Sequence, residues 1–172
     1  MPTDDYSRTL RIGVLPSESQ LDGLLKQGFR RLINVYGVPL TDIYPQRHWP
    51  QFTVSDFVFA DVFSQAEATE VCCASGDRQE DLYLARTDAG QRWQFLAAVA
   101  ALTDCLRRRQ PCYVFCQKGR GRSPAVAAAA LLSAFHLPLA EALTVVQRLR
   151  PQACLTEVSI AAAIWGSQQR IG

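Results

Sequence analysis

Apolar and polar positions along this chain follow two periods, and segments of one period alternate with segments of the other. Leu10–Val14 is a short apolar run with strand spacing, and Ser17-Glu18-Ser19-Gln20 behind it has the form of a capping box opening a helix to about Gln27. Residues 31–36 read as a second strand, closed by Gly37 and Pro39, and residues 41–51 have the composition of a loop. Residues 52–62 are β-branched and aromatic enough for a strand or a strand pair, and Ser64-Gln65-Ala66-Glu67 then caps a short helix. Asp81–Arg86 reads as a strand, followed by the turn Thr87-Asp88-Ala89-Gly90 and a long helix to about Arg109. Trp93, Leu96, Val99, Leu102 and Leu106 give that helix its apolar stripe. Residues 112–115 form a short apolar strand, and helices follow over 123–135, 138–150 and 156–168. Strands alternating with helices predict an α/β fold: a central, mostly parallel sheet of four to five strands flanked by helices.

The chain has 172 residues, which predicts one domain over residues 1–172, and 48% of them are apolar, ample material for its core. Lys and Arg number 18 against 16 Asp and Glu, a net charge of +2, so no global basic field would hold nucleic acid or an anionic membrane. The run from Ser123 to Ala140 carries no charge and approaches spanning length. It is largely Ala and is interrupted by Ser133, His136 and Pro138, which predicts a helix buried in protein and no membrane insertion. The first six residues include Asp4 and Asp5 and no apolar stretch, so a cytoplasmic monomer is expected.

Six cysteines, Cys72, Cys73, Cys105, Cys112, Cys116 and Cys154, lack the paired C-x-x-C or His spacing of a zinc site, and no metal is expected. Cys72 and Cys73 suit the end of a buried helix. Cys112 and Cys116 on one strand would lie about 13 Å apart, too far for a disulfide. Arg107, Arg108 and Arg109 suit the C-terminal end of a helix dipole. Arg47, His48 and Trp49 are candidates for a pocket wall.

Cys116 stands apart by its position, between an apolar strand and the segment Gln117-Lys118-Gly119-Arg120-Gly121-Arg122-Ser123-Pro124, which leads into an apolar helix. A loop of this length can turn successive N–H groups toward one centre, forming an anion nest at a helix N-terminus. Gly119 and Gly121 permit the backbone angles, Pro124 suits the first helical position, and Ser123 suits the N-cap. Arg122 can hold two phosphate oxygens at once. The same positive environment favours a thiolate at Cys116, and Ser123 can donate a hydrogen bond to that sulfur and help it leave. Gln117, Lys118, Gly119, Arg120, Gly121 and Arg122 are therefore the candidate phosphate-binding residues, and a nucleophile inside an anion cradle attacks phosphorus.

Cys116 to Ser123 matches the Cys-x5-Arg-Ser/Thr signature of the cysteine-dependent phosphatases, and the chain resembles their dual-specificity, tyrosine-phosphatase-like subgroup. Arg122-Ser-Pro-Ala-Val, Glu141-Ala-Leu and Arg150-Pro151 resemble that family's closing helices, and Ile12-Gly-Val-Leu-Pro-Ser and Arg31-Leu-Ile-Asn-Val its N-terminal strands. The resemblance covers most of the chain and is weakest over residues 40–80. Phe115 stands where the family usually has His, which implies different support for the loop. The resemblance implies a metal-independent, cofactor-free phosphomonoester hydrolase with a cysteinyl-phosphate intermediate, acting on phosphorylated protein. It also implies an upstream carboxylic acid, for which Asp77, Asp81 and Asp88 are candidates. If Asp81–Arg86 is a strand, Asp88 falls at its carboxyl end beside Cys116, whereas Asp81 is roughly 17 Å away at the other end. Asp88 is thus the predicted acid and, later, base.

Lys118 and Arg120 make the loop unusually cationic, which opens the alternative of a phosphorylated lipid or inositol substrate. A phosphate-binding module without turnover would share the loop, and Phe115 keeps that reading open. Sulfurtransferase or arsenate-reducing chemistry would need a persulfide carrier or a resolving thiol, and neither Cys112 nor Cys154 is convincingly placed for it. RNA binding through the Gly-Arg run would need interleaved aromatic residues, which it lacks.

Overall fold

Among the described residues four strands form one parallel sheet in the order β1-β4-β2-β3: β1 Leu10–Val14, β2 Arg31–Asn34, β3 Thr53–Asp56 and β4 Cys112–Cys116. The structure is a computed structural model and describes residues 5–45, 50–64 and 80–169. β4 runs between β1 and β2, pairing Cys116 with Val14 and Phe115 with Asn34. Its side chains alternate between two cores. Cys112, Val114 and Cys116 enter the larger one and Phe115 the smaller, so β4 is covered on both faces as a central parallel strand must be.

The larger core is closed by α4 Ala89–Arg107, α5 Arg122–Phe135, α6 Leu139–Leu149 and α7 Glu157–Gln168. α5 lies at the centre of this layer, with every residue from Ala125 to Leu131 fully buried. That position explains the uncharged run. A helix surrounded on all sides needs no polar face, and small residues let its neighbours approach, as where a Cβ at Gly166 of α7 would lie 3.4 Å from Ala129. Among the described residues no helix is long and apolar enough to cross a membrane. The smaller core places Leu21 and Leu24 of α1 Glu18–Lys26 against Leu32, Phe29 and Phe115. Ser17 starts α1 with the predicted capping box, accepting from Gln20 N at 3.3 Å while Gln20 Oε1 accepts from Ser17 N at 2.9 Å.

The structure corrects several expectations. Asp81–Arg86 is a helix, α3, and adds no strand to the four of the sheet among the described residues. Its alternation of Leu82 and Leu84 about Tyr83 suggests a strand, but Tyr83 alone is buried, held among Phe63, Phe95 and Trp165 at centroid distances of 6.0, 5.3 and 5.5 Å. The end of α3 is satisfied from a distance, since Arg92 donates to Leu84 O at 3.2 Å and to Thr87 O at 2.6 Å. Residues 52–62 contain only the four-residue edge strand β3. One helical turn, α2 Leu40–Ile43, occupies the start of the expected loop. In α4 the buried face runs through Phe95, Val99, Leu102 and Leu106, and Trp93 is 70% exposed. Residues 65–67 of the second predicted cap, Cys72, Cys73, Asp77 and the group Arg47, His48 and Trp49 lie outside the described residues.

Candidate active site

β4 ends at Cys116, and α5 begins at Arg122 with Gly121 as its N-cap, two residues before the predicted cap at Ser123. Pro124 is therefore the third helical residue, not the first. The helix tolerates it there because the amides of the first turn have no intrahelical acceptor. Ser123, inside the helix and not at its cap, turns its hydroxyl to the nucleophile: Oγ lies 3.2 Å from Cys116 Sγ and donates to Gly13 O at 3.3 Å.

The loop between strand and helix sorts its polar groups. Its carbonyls face donors behind it: Cys116 O accepts from Leu15 N at 2.9 Å, Arg120 O from Cys154 N at 2.8 Å and Gly121 O from Ala125 N at 3.1 Å. Lys118 O and Gly119 O accept from the Arg150 guanidinium at 3.2 and 3.1 Å. The amides of Lys118 to Gly121, by contrast, donate to nothing among the described residues. A backbone with its acceptors filled and its donors free is a receptor for an anion. Gly119 makes the turn possible with φ at +63°, and a Cβ there would lie 2.9 Å from both Gly13 O and the Arg150 guanidinium.

Arg122 is 7% exposed, and its Nε is buried with no hydrogen-bond partner among the described residues. Its Nη1 donates to Tyr36 O and, at 3.4 Å, to Phe59 O. Gly37, with φ at +100°, makes room, since a Cβ there would stand 3.0 Å from that nitrogen. The guanidinium is thus held from behind, and an unpaired buried donor of this kind is what an oxyanion would satisfy. Arg122 lines a cavity of about 460 Å³ with Tyr36, Gln117, Gln91 and Phe59. Lys118 and Arg120 carry exposed side chains.

Asp88 is the N-cap of α4, its Oδ1 accepting from Gln91 N at 2.8 Å, and the strand that would have set it at the sheet edge is helical. A different carboxylate adjoins the loop. Asp61 Oδ1 accepts from Phe63 N and Ser64 N, both at 3.1 Å, and Oδ2 accepts from Ser64 Oγ at 2.5 Å. A Cβ at Gly121 would meet Asp61 Oδ1 at 2.7 Å. The signal in the sequence was the acid itself, alone in the apolar run from Phe57 to Phe63.

No protein-family model matches the chain, and no curated protein sequence matches it. Solved structures do. Tk-PTP in its active form is 19% identical over 94% of this chain and 92% of that one, with a TM-score of 0.60. Human DUSP28 is 22% identical over 92% and 91%, with a TM-score of 0.60. PTPMT1, solved in complex with PI(5)P, is 14% identical over 94% and 91%, with a TM-score of 0.62. The chain has the fold of these dual-specificity-phosphatase-like proteins.

Proposed function

We propose that the protein is a cysteine-dependent phosphomonoester hydrolase of the dual-specificity type. The observation that carries this reading is the loop from Cys116 to Ser123, which holds a sulfur 3.2 Å from the Ser123 hydroxyl in the same eight residues as four amides and a buried Arg122 Nε that have no partner among the described residues. Cys116 Sγ attacks phosphorus in line. The P–O bond to the leaving group breaks, its electron pair stays on the leaving oxygen, and Asp61 donates a proton there. Arg122 and the amides of the loop bind the equatorial oxygens as their charge develops. Water then attacks the cysteinyl phosphate, Asp61 accepts its proton, the P–S bond breaks, and the Ser123 hydroxyl turns from Gly13 O to donate a hydrogen bond to the departing sulfur. The contact of Asp61 with Gly121 supports it over Asp88 as the acid. No step calls on a metal.

The test is release of the alcohol from an aryl phosphate in the presence of EDTA by the unmodified protein, Cys116→Ser and Arg122→Ala. We expect turnover by the unmodified protein alone. Phosphate binding without turnover would identify the loop as a binding module and overturn the enzyme reading.

A further inference from the structure

We propose that the cavity on the other side of Gln117 from Arg122 is a second anion subsite, and that the substrate is a compact polyol phosphate with another phosphoryl group beside the one removed. The proposal rests on the phosphatase reading of the loop and names its substrate class. The cavity has a volume of about 520 Å³ and is lined by Lys118, Arg120, Arg150, Gln117, Gln152 and Tyr36, with Val14 and Leu15 as its apolar residues. Three of these residues are cations and none is acidic.

Exposed lysines and arginines are ordinarily solvated and spread apart, and here three converge on one concavity. None of the three forms an ion pair with a described residue. Arg150 is half-buried and fixed by its donations to Lys118 O and Gly119 O, and Arg120 is tied at its carbonyl to Cys154 N. Like charges gathered on one concavity, with no counterion among the described residues, repel one another, and a bound polyanion relieves that repulsion.

The adjacency of the two cavities points to the class. Tyr36 and Gln117 line both cavities, so the two anion positions share a wall. In an extended peptide successive side chains point to opposite faces, and two on one face start about 6.6 Å apart before the side chains themselves are added. Phosphates on adjacent ring carbons are closer and fixed in direction. Val14 and Leu15 offer apolar contact to the C–H face of such a ring. The same chemistry occurs in a free inositol phosphate and in a lipid headgroup.

The experiment measures phosphate release from inositol monophosphate, from inositol bisphosphate with neighbouring phosphates, from the corresponding phosphatidylinositol bisphosphate in phosphatidylcholine vesicles, and from a doubly phosphorylated peptide. Phenyl phosphate is followed in parallel as a readout of the Arg122 cavity alone. We expect kcat/KM for a bisphosphate to exceed that for the monophosphate by about tenfold to a hundredfold. The double variant Lys118→Gln, Arg120→Gln should bring that ratio close to one, and so should Gln152→Glu by adding a charge of the wrong sign. A preference seen only in vesicles assigns the source to lipid, and one seen in solution assigns it to the free compound; both support the subsite. Equal rates on mono- and bisphosphate, with phenyl phosphate turned over, would overturn the subsite and leave the proposed function standing. Preference for the peptide over every bisphosphate would overturn it too. If no ester is hydrolysed, the catalytic reading fails, and calorimetry on Cys116→Ser decides the subsite. Inositol bisphosphate binding about tenfold tighter than the monophosphate, lost in the double variant, supports it, and equal affinities overturn it.

Discussion

Replacing Asp61 by Asn separates the proposed acid from its structural role. Asp61 Oδ1 accepts two amides at 3.1 Å, and the Asn carbonyl can keep both; the amide group replacing Oδ2 gives up only the acceptor for Ser64 Oγ. One hydrogen bond exchanged for a weaker one costs about 1 kcal/mol of stability, leaving the fold in place. The proton source is gone altogether. General acid catalysis is worth about a hundredfold to ten-thousandfold, or roughly 2.7–5.4 kcal/mol of barrier. That loss depends on the leaving group: p-nitrophenolate departs without a proton, and an alkoxide does not. The assay is kcat/KM on aryl and alkyl phosphates ordered by leaving-group basicity, for the unmodified protein, Asp61→Asn and Asp88→Asn. Asp61→Asn should fall behind progressively along the series. Asp88→Asn should run parallel to the unmodified protein, because Asn keeps the N-cap acceptor for Gln91 N and caps a helix about as well as Asp. If Asp88→Asn shows the leaving-group dependence and Asp61→Asn does not, the assignment of the acid is wrong.

Gly119→Ala should weaken phosphate binding at least about tenfold, because Ala at φ +63° costs about 1–2 kcal/mol and its Cβ would press on Arg150 and Gly13 O; isothermal titration with inorganic phosphate reads it. Gly23→Ala in α1, where a Cβ would meet only Gln27 Nε2 at 4.0 Å, should instead stabilise the protein by about 0.5–1 kcal/mol in urea unfolding. Ser123→Ala should uncouple the two chemical steps, giving a stopped-flow burst of aryl alcohol and then a slower steady state, since the sulfur loses the hydroxyl at 3.2 Å that assists its departure. The Cys105 thiol is held below its ordinary range by a hydrogen bond from Cys112 and by the charge of Arg31. The same contact and burial push the Cys112 thiol up, so it opposes the effect only where an unfolded thiol starts to ionise. From neutrality to below the ordinary thiol range the unfolded chain binds more protons at Cys105, so stability should rise with pH through that window. Cys105→Ser should flatten the rise in urea midpoints measured across it.

The loop was legible in the sequence because its chemistry is local: a Cys, two glycines, an Arg and a Ser within eight residues can serve one purpose wherever the rest of the chain goes. The strands β1 and β4 and the long helices were legible for the same reason, each carrying its period in its own residues. α3 was not, because one ring sets it, and that ring's partners, Phe63, Phe95 and Trp165, come from distant parts of the chain. The placing of Asp88 at a sheet edge does not carry over to the structure, since it took that segment for a strand. Asp61 was hidden by its surroundings: an acid in an apolar run looks like an interruption until Gly121, sixty positions later, is folded against it. Arg150 was read only as the end of a helix, and its hold on the loop arises because α6 ends beside Gly119.

Phe115 shows what that hold replaces. Its side chain is fully buried in the smaller core with Leu21, Leu24 and Leu32, stacked on Tyr113 at 5.6 Å, and it gives the loop no hydrogen bond. Support comes instead from Arg150, which grips two loop carbonyls, and from Leu15 N, which donates to Cys116 O. Tyr113 steadies the strand before Leu15, donating its hydroxyl to Val14 O at 2.5 Å, and burial pushes its pKa up to about 12, so it keeps that proton at neutral pH. A histidine in this supporting role would change charge between about pH 5 and 8, and the loop's electrostatics would change with it. A guanidinium and an un-ionised phenol do not titrate there. The loop of this protein therefore keeps both its shape and its supporting charge between about pH 5 and 8.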